Sequence, residues 1–77
     1  MTLNKAISLR LSELLSERDM SIYKLIVSSG LDRDNLYRLV KGKNTDVKLS
    51  TISAICNTLN ISIIDFFNSD KFLDIIQ

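Results

Sequence analysis

The chain has 77 residues, of which 45% are hydrophobic, so it is long enough for one small domain and too apolar to remain disordered. It has no histidine and one cysteine, Cys56, which excludes an intramolecular disulfide and argues against a zinc site or histidine-based acid–base catalysis. No apolar run approaches the length of a membrane span, and no signal-peptide pattern opens the chain. We therefore expect a cytoplasmic protein that is not an enzyme, with no cofactor, metal or small-molecule ligand.

The basic side chains are concentrated in the middle third of the chain. Residues 21–48 carry six basic and three acidic side chains, a net of +3, whereas residues 1–20 are neutral and residues 49–77 carry a net of −2. Positive potential on one segment suits a surface that faces phosphates, although the same charges can simply solvate a polar helix face.

The first two helices are predicted from apolar spacing and turn residues. Leucine and isoleucine residues at helical spacing predict a first helix over Asn4–Glu17. Ser21 suits the N-cap of a second helix that ends near Ser29, because its hydroxyl can accept a hydrogen bond from a free backbone N–H. Gly30 then supplies the left-handed conformation that ends a helix. Tyr23 is expected to be partly buried in the core.

The next two helices have similar signals. Asp32 suits the N-cap of a third helix that runs to about Lys41, with Gly42 as its stop signal. A fourth helix over Ser50–Leu59 has the clearest amphipathic pattern in the chain, with apolar residues at i, i+3, i+4 and i+7. Cys56 belongs to that apolar stripe and is expected to be buried.

The end of the chain is predicted to hold a fifth short helix and a tail. Asn60 tolerates a left-handed helix end, and the pair Ser62 and Asp65 resembles a capping box that opens a helix through Phe67. We therefore predict an all-α domain over residues 1–68 and a short apolar tail over residues 69–77. The sequence leaves open whether the tail is helix or strand.

The most informative feature is a tight pair of short helices joined by Gly30 and Leu31. Such a turn sets two helices roughly perpendicular, so that the second can enter the major groove of DNA while the first crosses the backbone. A groove about 12 Å wide admits one helix with its side chains.

With this pair, the sequence resembles the lambda-repressor/Cro-type helix-turn-helix family, also called the XRE family, over about residues 7–67. The stretch SIYKLIVSSGLDRDNLYRLVKGKN is similar to the two-helix motif, and LSTISAICNTLNISIIDFF is similar to the fourth and fifth helices. The resemblance implies a compact five-helix, lambda-repressor-like domain that binds double-stranded DNA as a homodimer. It also implies a regulator of transcription that reads a palindromic operator, with a repressor expected ahead of an activator.

The resemblance places the base-contacting positions on five residues of the third helix: Arg33, Asp34, Asn35, Tyr37 and Arg38. Arginine pairs with guanine, asparagine with adenine, and aspartate accepts a hydrogen bond from cytosine. Phosphate contacts are expected from five further residues: Ser21, Lys24, Lys41, Lys43 and Asn44.

The family's dimers commonly meet through the last helices, and the end of this chain is rich in apolar residues. The expected dimer interface comprises Ile64, Phe67, Phe72, Leu73, Ile75 and Ile76. The alternative is that the tail folds back onto the first helix as part of the monomer core.

Two residues depart from the family pattern. Ile22 stands where the family usually has a glutamine that contacts phosphate and supports the recognition helix, and Ile26 stands where it usually has a small alanine. Together with the near-neutral net charge, Ile22 favours a second hypothesis: a protein-interaction module, such as an antirepressor, an antitoxin or a sequestering partner of another helix-turn-helix protein.

Overall fold

The computed structural model describes residues 1–43 and 46–75, and within them the chain forms helices and no strand. The elements are α1 over Leu3–Glu17, α2 over Ile22–Ser29, α3 over Arg33–Val40, α4 over Leu49–Leu59, α5 over Ile63–Phe67, and a 3-10 turn over Asp70–Phe72. The predicted all-α fold with five helices is confirmed.

A side-chain oxygen caps the N-terminus of four of these helices. Thr2, Ser21, Asp32 and Ser62 each precede a helix and accept a hydrogen bond from the backbone N–H three residues further along. Each bond satisfies one of the N–H groups that a helix leaves without a partner in its first turn. The N-cap roles predicted for Ser21, Asp32 and Ser62 are confirmed, whereas Lys48 precedes α4 without a side-chain cap bond.

Residues in the left-handed conformation follow α2, α3 and α4. Gly30 has φ +72° after α2, and Asn60 has φ +58° after α4, as the sequence predicts. Gly42 has φ +71° after α3, where the Lys43 N–H donates to the Arg38 carbonyl at 2.9 Å. This bond, together with that from the Gly42 N–H to the Leu39 carbonyl, forms a Schellman motif, which satisfies the last carbonyls of the helix.

The core gathers apolar residues from all five helices. α1 packs against α3 and the 3-10 turn, α2 against α3 and α4, and α4 against α5. Its largest fully buried side chains are Leu11, Leu25, Leu36, Leu39, Ile52, Ile55, Cys56 and Phe66. Burial raises the pKa of the Cys56 thiol, and the negative charge of Asp65 raises it further, so the thiol stays protonated and serves as a packing group.

The expectation that Tyr23 is partly buried is wrong. Its side chain is 65% exposed and lies one turn before Val27, which is 59% exposed. Both residues lie on the outer face of α2, because Leu25 turns the opposite face of this short helix into the core.

The tail packs on the core of its own chain. Phe72 contacts Phe67 with ring centroids 4.9 Å apart, and Phe67 contacts the fully buried Phe66 at 5.1 Å. The amino group of Met1 donates to the Asp74 carbonyl at 3.2 Å, which ties the two ends of the described chain together.

A polar network joins α1 to α5 and the tail. The guanidinium of Arg10 donates to the carbonyls of Asp65 and Phe66, both at 2.7 Å, at the end of α5. Arg10 also pairs with Glu13, whose other oxygen accepts from the Lys71 ammonium at 3.0 Å. These charge-assisted bonds satisfy helix-end carbonyls and fix the tail against α1.

Because of this network, the free energy of unfolding depends on pH under acidic conditions. The hydrogen bond from Arg10, followed by that from Lys71, holds the pKa of the Glu13 carboxyl below its ordinary value of 4.5. A lowered folded-state pKa contributes stability that is present above the unfolded-state pKa and is lost as pH falls through the folded-state pKa. We expect Glu13→Gln to be less stable than the wild type at neutral pH, with the gap closing below about pH 4.5.

Urea unfolding midpoints measured from pH 7 to pH 3 check this expectation. Glu17→Gln, at an exposed site on the same helix, serves as the control and should follow the wild-type curve. A gap between Glu13→Gln and the wild type that does not change with pH would show that the carboxylate contributes nothing through its charge.

Candidate nucleic-acid interface

The turn between α2 and α3 is fixed by burial and by local hydrogen bonds. Leu25 of α2 and Leu36 of α3 are both fully buried in one core cluster. Between them, Gly30 takes the left-handed conformation, and the Ser29 hydroxyl accepts from the Leu31 N–H at 3.2 Å. The two short helices therefore form a helix-turn-helix pair.

A hydrogen bond from α1 fixes the C-terminal end of α3. Ser8 is buried, and its hydroxyl donates to the Val40 carbonyl at 2.6 Å. A Cβ atom added to Gly42 would lie 3.6 Å from the side chains of Lys5 and Ser8, so the chain after α3 runs close to α1. The role of Ser8 is not predicted from the sequence, although its place between the buried Ile7 and Leu11 is a signal that the hydroxyl faces inward.

One face of α3 is buried and the other carries the predicted base-contacting residues. Leu36 and Leu39 are buried, whereas Arg33, Asp34 and Arg38 are exposed. The two remaining predicted base-contacting residues, Asn35 and Tyr37, are half-buried at the flanks of the helix. The structure thus places three of the five predicted base-contacting residues on the exposed face of α3 and the other two at its edges.

The residues expected to contact phosphate lie at the ends of α2 and α3. Lys24 is exposed in the first turn of α2, and Lys41 and Lys43 are exposed where α3 ends. Ser21 accepts from the Lys24 N–H at 3.0 Å through its hydroxyl oxygen, which leaves the hydroxyl proton for an anion. Asn44 lies outside the described residues.

A polar pocket of about 450 Å³ opens beside α3, towards the start of α4. Its lining includes Asn35 and Arg38 from the candidate interface, together with Asp32, Asp46 and Lys48. Because carboxylates and cations line it together, the pocket is not a selective anion site, and we treat it as the edge of the α3 surface.

Within α3, the Arg33 guanidinium carbon lies 5.7 Å from the centroid of the Tyr37 ring, within the range of a cation–π contact. This contact was not predicted from the sequence, although the i, i+4 spacing of arginine and tyrosine on a helix is a signal for it.

The residues expected at a dimer interface differ in exposure. Ile64 and Leu73 are 80% and 76% exposed. Phe67 and Phe72 are half-buried against the core of their own chain, and Ile75 is also half-buried. Ile76 lies outside the described residues. The outward-facing part of the predicted interface therefore consists of Ile64 and Leu73.

Comparison with known proteins agrees with this geometry. The family model of the Cro/C1-type HTH DNA-binding domain matches residues 10–71. The chain belongs to this family. The match covers all of α2, α3, α4 and α5, so membership in the Cro/C1-type family confirms the resemblance and identifies the chain as a DNA-binding domain.

One solved structure similar to this Cro/C1-type domain is "Crystal structure of the prophage Lp1 protein 11". Its sequence is 25% identical to that of this chain, and the two structures superpose with a TM-score of 0.84. The alignment covers 97% of this chain and 99% of that one. No curated protein matches the chain. Over residues 1–43 and 46–75, no helix is both long and apolar enough to cross a membrane, and no three metal-binding side chains cluster.

The Ser8 contact can be tested by substitution. We expect Ser8→Ala to lower the free energy of unfolding by about 1 kcal/mol relative to Ser12→Ala, because it removes a hydrogen bond from a partly buried carbonyl. Ser12 is exposed on the same helix, and its replacement brings the same gain in helix propensity. Equal urea-unfolding energies for the two variants would mean that the bond does not hold α3.

Proposed function

We propose that this Cro/C1-type domain is a sequence-specific transcriptional regulator, acting as a repressor, that binds a palindromic operator as a homodimer. The observation that supports the proposal most is the orientation of α3, whose apolar face is buried while its polar edge faces outward. The tail packs on α1, and both Arg38 in α3 and Lys41 directly after α3 remain exposed.

In this proposal α3 lies in the major groove. Arg33 and Arg38 donate to the O6 and N7 atoms of guanine, Asn35 pairs with adenine, and Asp34 accepts from the amino group of cytosine. Ser21, Lys24 and the lysines after α3 contact phosphates and fix the register of the domain on the duplex. Two copies related by a two-fold axis would present their α3 helices about 34 Å apart, which explains why the operator should be palindromic.

Repression needs only that a bound dimer excludes other proteins from the same DNA. The charge of the domain supports specific over non-specific binding, because Asp32, Asp34 and Asp46 lie among the basic residues of segment 21–48 and weaken its general attraction to phosphate. We place this activity in the cytoplasm, where the protein meets its operator.

Selection of bound sequences from a random DNA pool tests the proposal. We expect a palindromic sequence to be enriched, with an affinity that falls steeply as salt concentration rises, because each phosphate contact releases counterions. Arg38→Ala should weaken binding to the selected sequence about ten-fold or more, the loss expected from one bidentate base contact. Arg18→Ala, at the exposed residue that follows α1, is the control and should bind like the wild type.

If no sequence is enriched, the regulator proposal fails, and the protein-interaction hypothesis takes its place. The exposed pair Tyr23 and Val27 on α2 is the observation that favours that second function, since apolar side chains exposed together are typical of protein contacts.

The proposed dimer interface can be tested separately, by substitution. Ile64→Lys and Leu73→Lys should each weaken self-association about ten-fold or more, because each places a charge where an apolar side chain would be buried. Leu49→Lys, at an apolar residue of α4 that is 71% exposed, is the control. Analytical ultracentrifugation gives the association constants. If the Ile64 and Leu73 variants associate like the wild type, these residues do not form the interface.

A further inference from the structure

We propose that Tyr37 is a positioning residue that holds the Arg33 guanidinium by a cation–π contact, so that Arg33 meets the base edge in a fixed orientation. The inference rests on the proposed function and deepens it. It assigns to Tyr37 an indirect role in specificity, through Arg33, in place of a direct contact of its hydroxyl with a base.

The geometry of α3 supports this role. Arg33 is the first residue of α3, directly after the N-cap Asp32, and Tyr37 lies one turn further along the same face. The guanidinium carbon is 5.7 Å from the ring centroid. Arg33 is exposed, while Tyr37 is half-buried, so the ring is the better-ordered partner.

The contact leaves the hydrogen-bonding edge of Arg33 available. Among the residues that the structure describes, no hydrogen bond or ion pair engages the Arg33 side chain. The Arg33 cation lies over the Tyr37 ring, whereas guanine O6 and N7 accept hydrogen bonds from the N–H groups of an arginine. The contact with Tyr37 therefore uses none of the hydrogen bonds that a base would accept from Arg33.

In the part of the chain that the structure describes, no hydrogen bond joins α2 to the Arg33 side chain. The residue that starts α2, Ile22, has an aliphatic side chain that packs against the core cluster and carries no hydrogen-bonding atom. A long arginine side chain that is not held loses rotamer freedom when it binds a base, and this loss reduces affinity. Contact with Tyr37 restricts Arg33 before binding, so less freedom is lost.

The test compares full-length variants on the operator selected with the wild-type protein. Tyr37→Leu keeps an apolar side chain without the π face and should weaken binding about two- to five-fold. Tyr37→Phe keeps the ring without the hydroxyl and should bind within two-fold of the wild type. In an Arg33→Ala background, Tyr37→Leu should have no further effect.

Two more readouts separate positioning from a structural role. Selection repeated with Tyr37→Leu should lose discrimination at the base pair that Arg33→Ala also affects, and at no other. In the free protein, ring currents should shift the Arg33 side-chain proton resonances upfield in the wild type and in Tyr37→Phe, but not in Tyr37→Leu.

Three results would overturn the inference while leaving the proposed function intact. These are equal losses in Tyr37→Phe and Tyr37→Leu, an undiminished effect of Tyr37→Leu in the Arg33→Ala background, and the absence of the resonance shift. If the wild type selects no DNA sequence, the proposed function and this inference are both rejected.

Discussion

The burial of Leu36 and Leu39 fixes the rotation of α3 about its own axis. The remaining features of the candidate interface depend on this orientation of α3. With these two leucines in the core, the side chains of Arg33, Asp34 and Arg38 have to face outward. A helix of eight residues has little stability of its own, so its orientation comes from packing. The Ser8 hydroxyl adds a polar contact at the end of α3, where the chain turns away.

The opposite end of the chain is held by charge and aromatic packing. Arg10 satisfies the last carbonyls of α5, and Phe72 packs with Phe67. This arrangement covers part of the apolar surface that the sequence offered for a dimer. It leaves Ile64 and Leu73 exposed, and the proposed dimer interface rests on these two residues.

The sequence predicts the ends of helices well where a single residue has one local role. Ser21, Asp32 and Ser62 start helices, and Gly30 ends one, because a cap depends on only a few neighbouring backbone groups. Prediction from the sequence is less reliable where burial depends on which of two apolar helix faces packs on the core. The expectation that Tyr23 is partly buried is wrong, since a helix of eight residues offers too few turns to define an apolar stripe. The contacts of Arg10 with α5 join residues more than fifty positions apart and have no local signature.

The central claim is that the outward edge of α3 occupies the major groove. Dimethyl sulfate methylates guanine at N7, which lies in the major groove, and adenine at N3, which lies in the minor groove. On DNA bound by the intact protein, the account predicts protection of guanine N7 at two symmetric positions about one helical turn apart, and unchanged methylation of adenine N3. Unprotected guanine N7 on DNA that is demonstrably bound would contradict it.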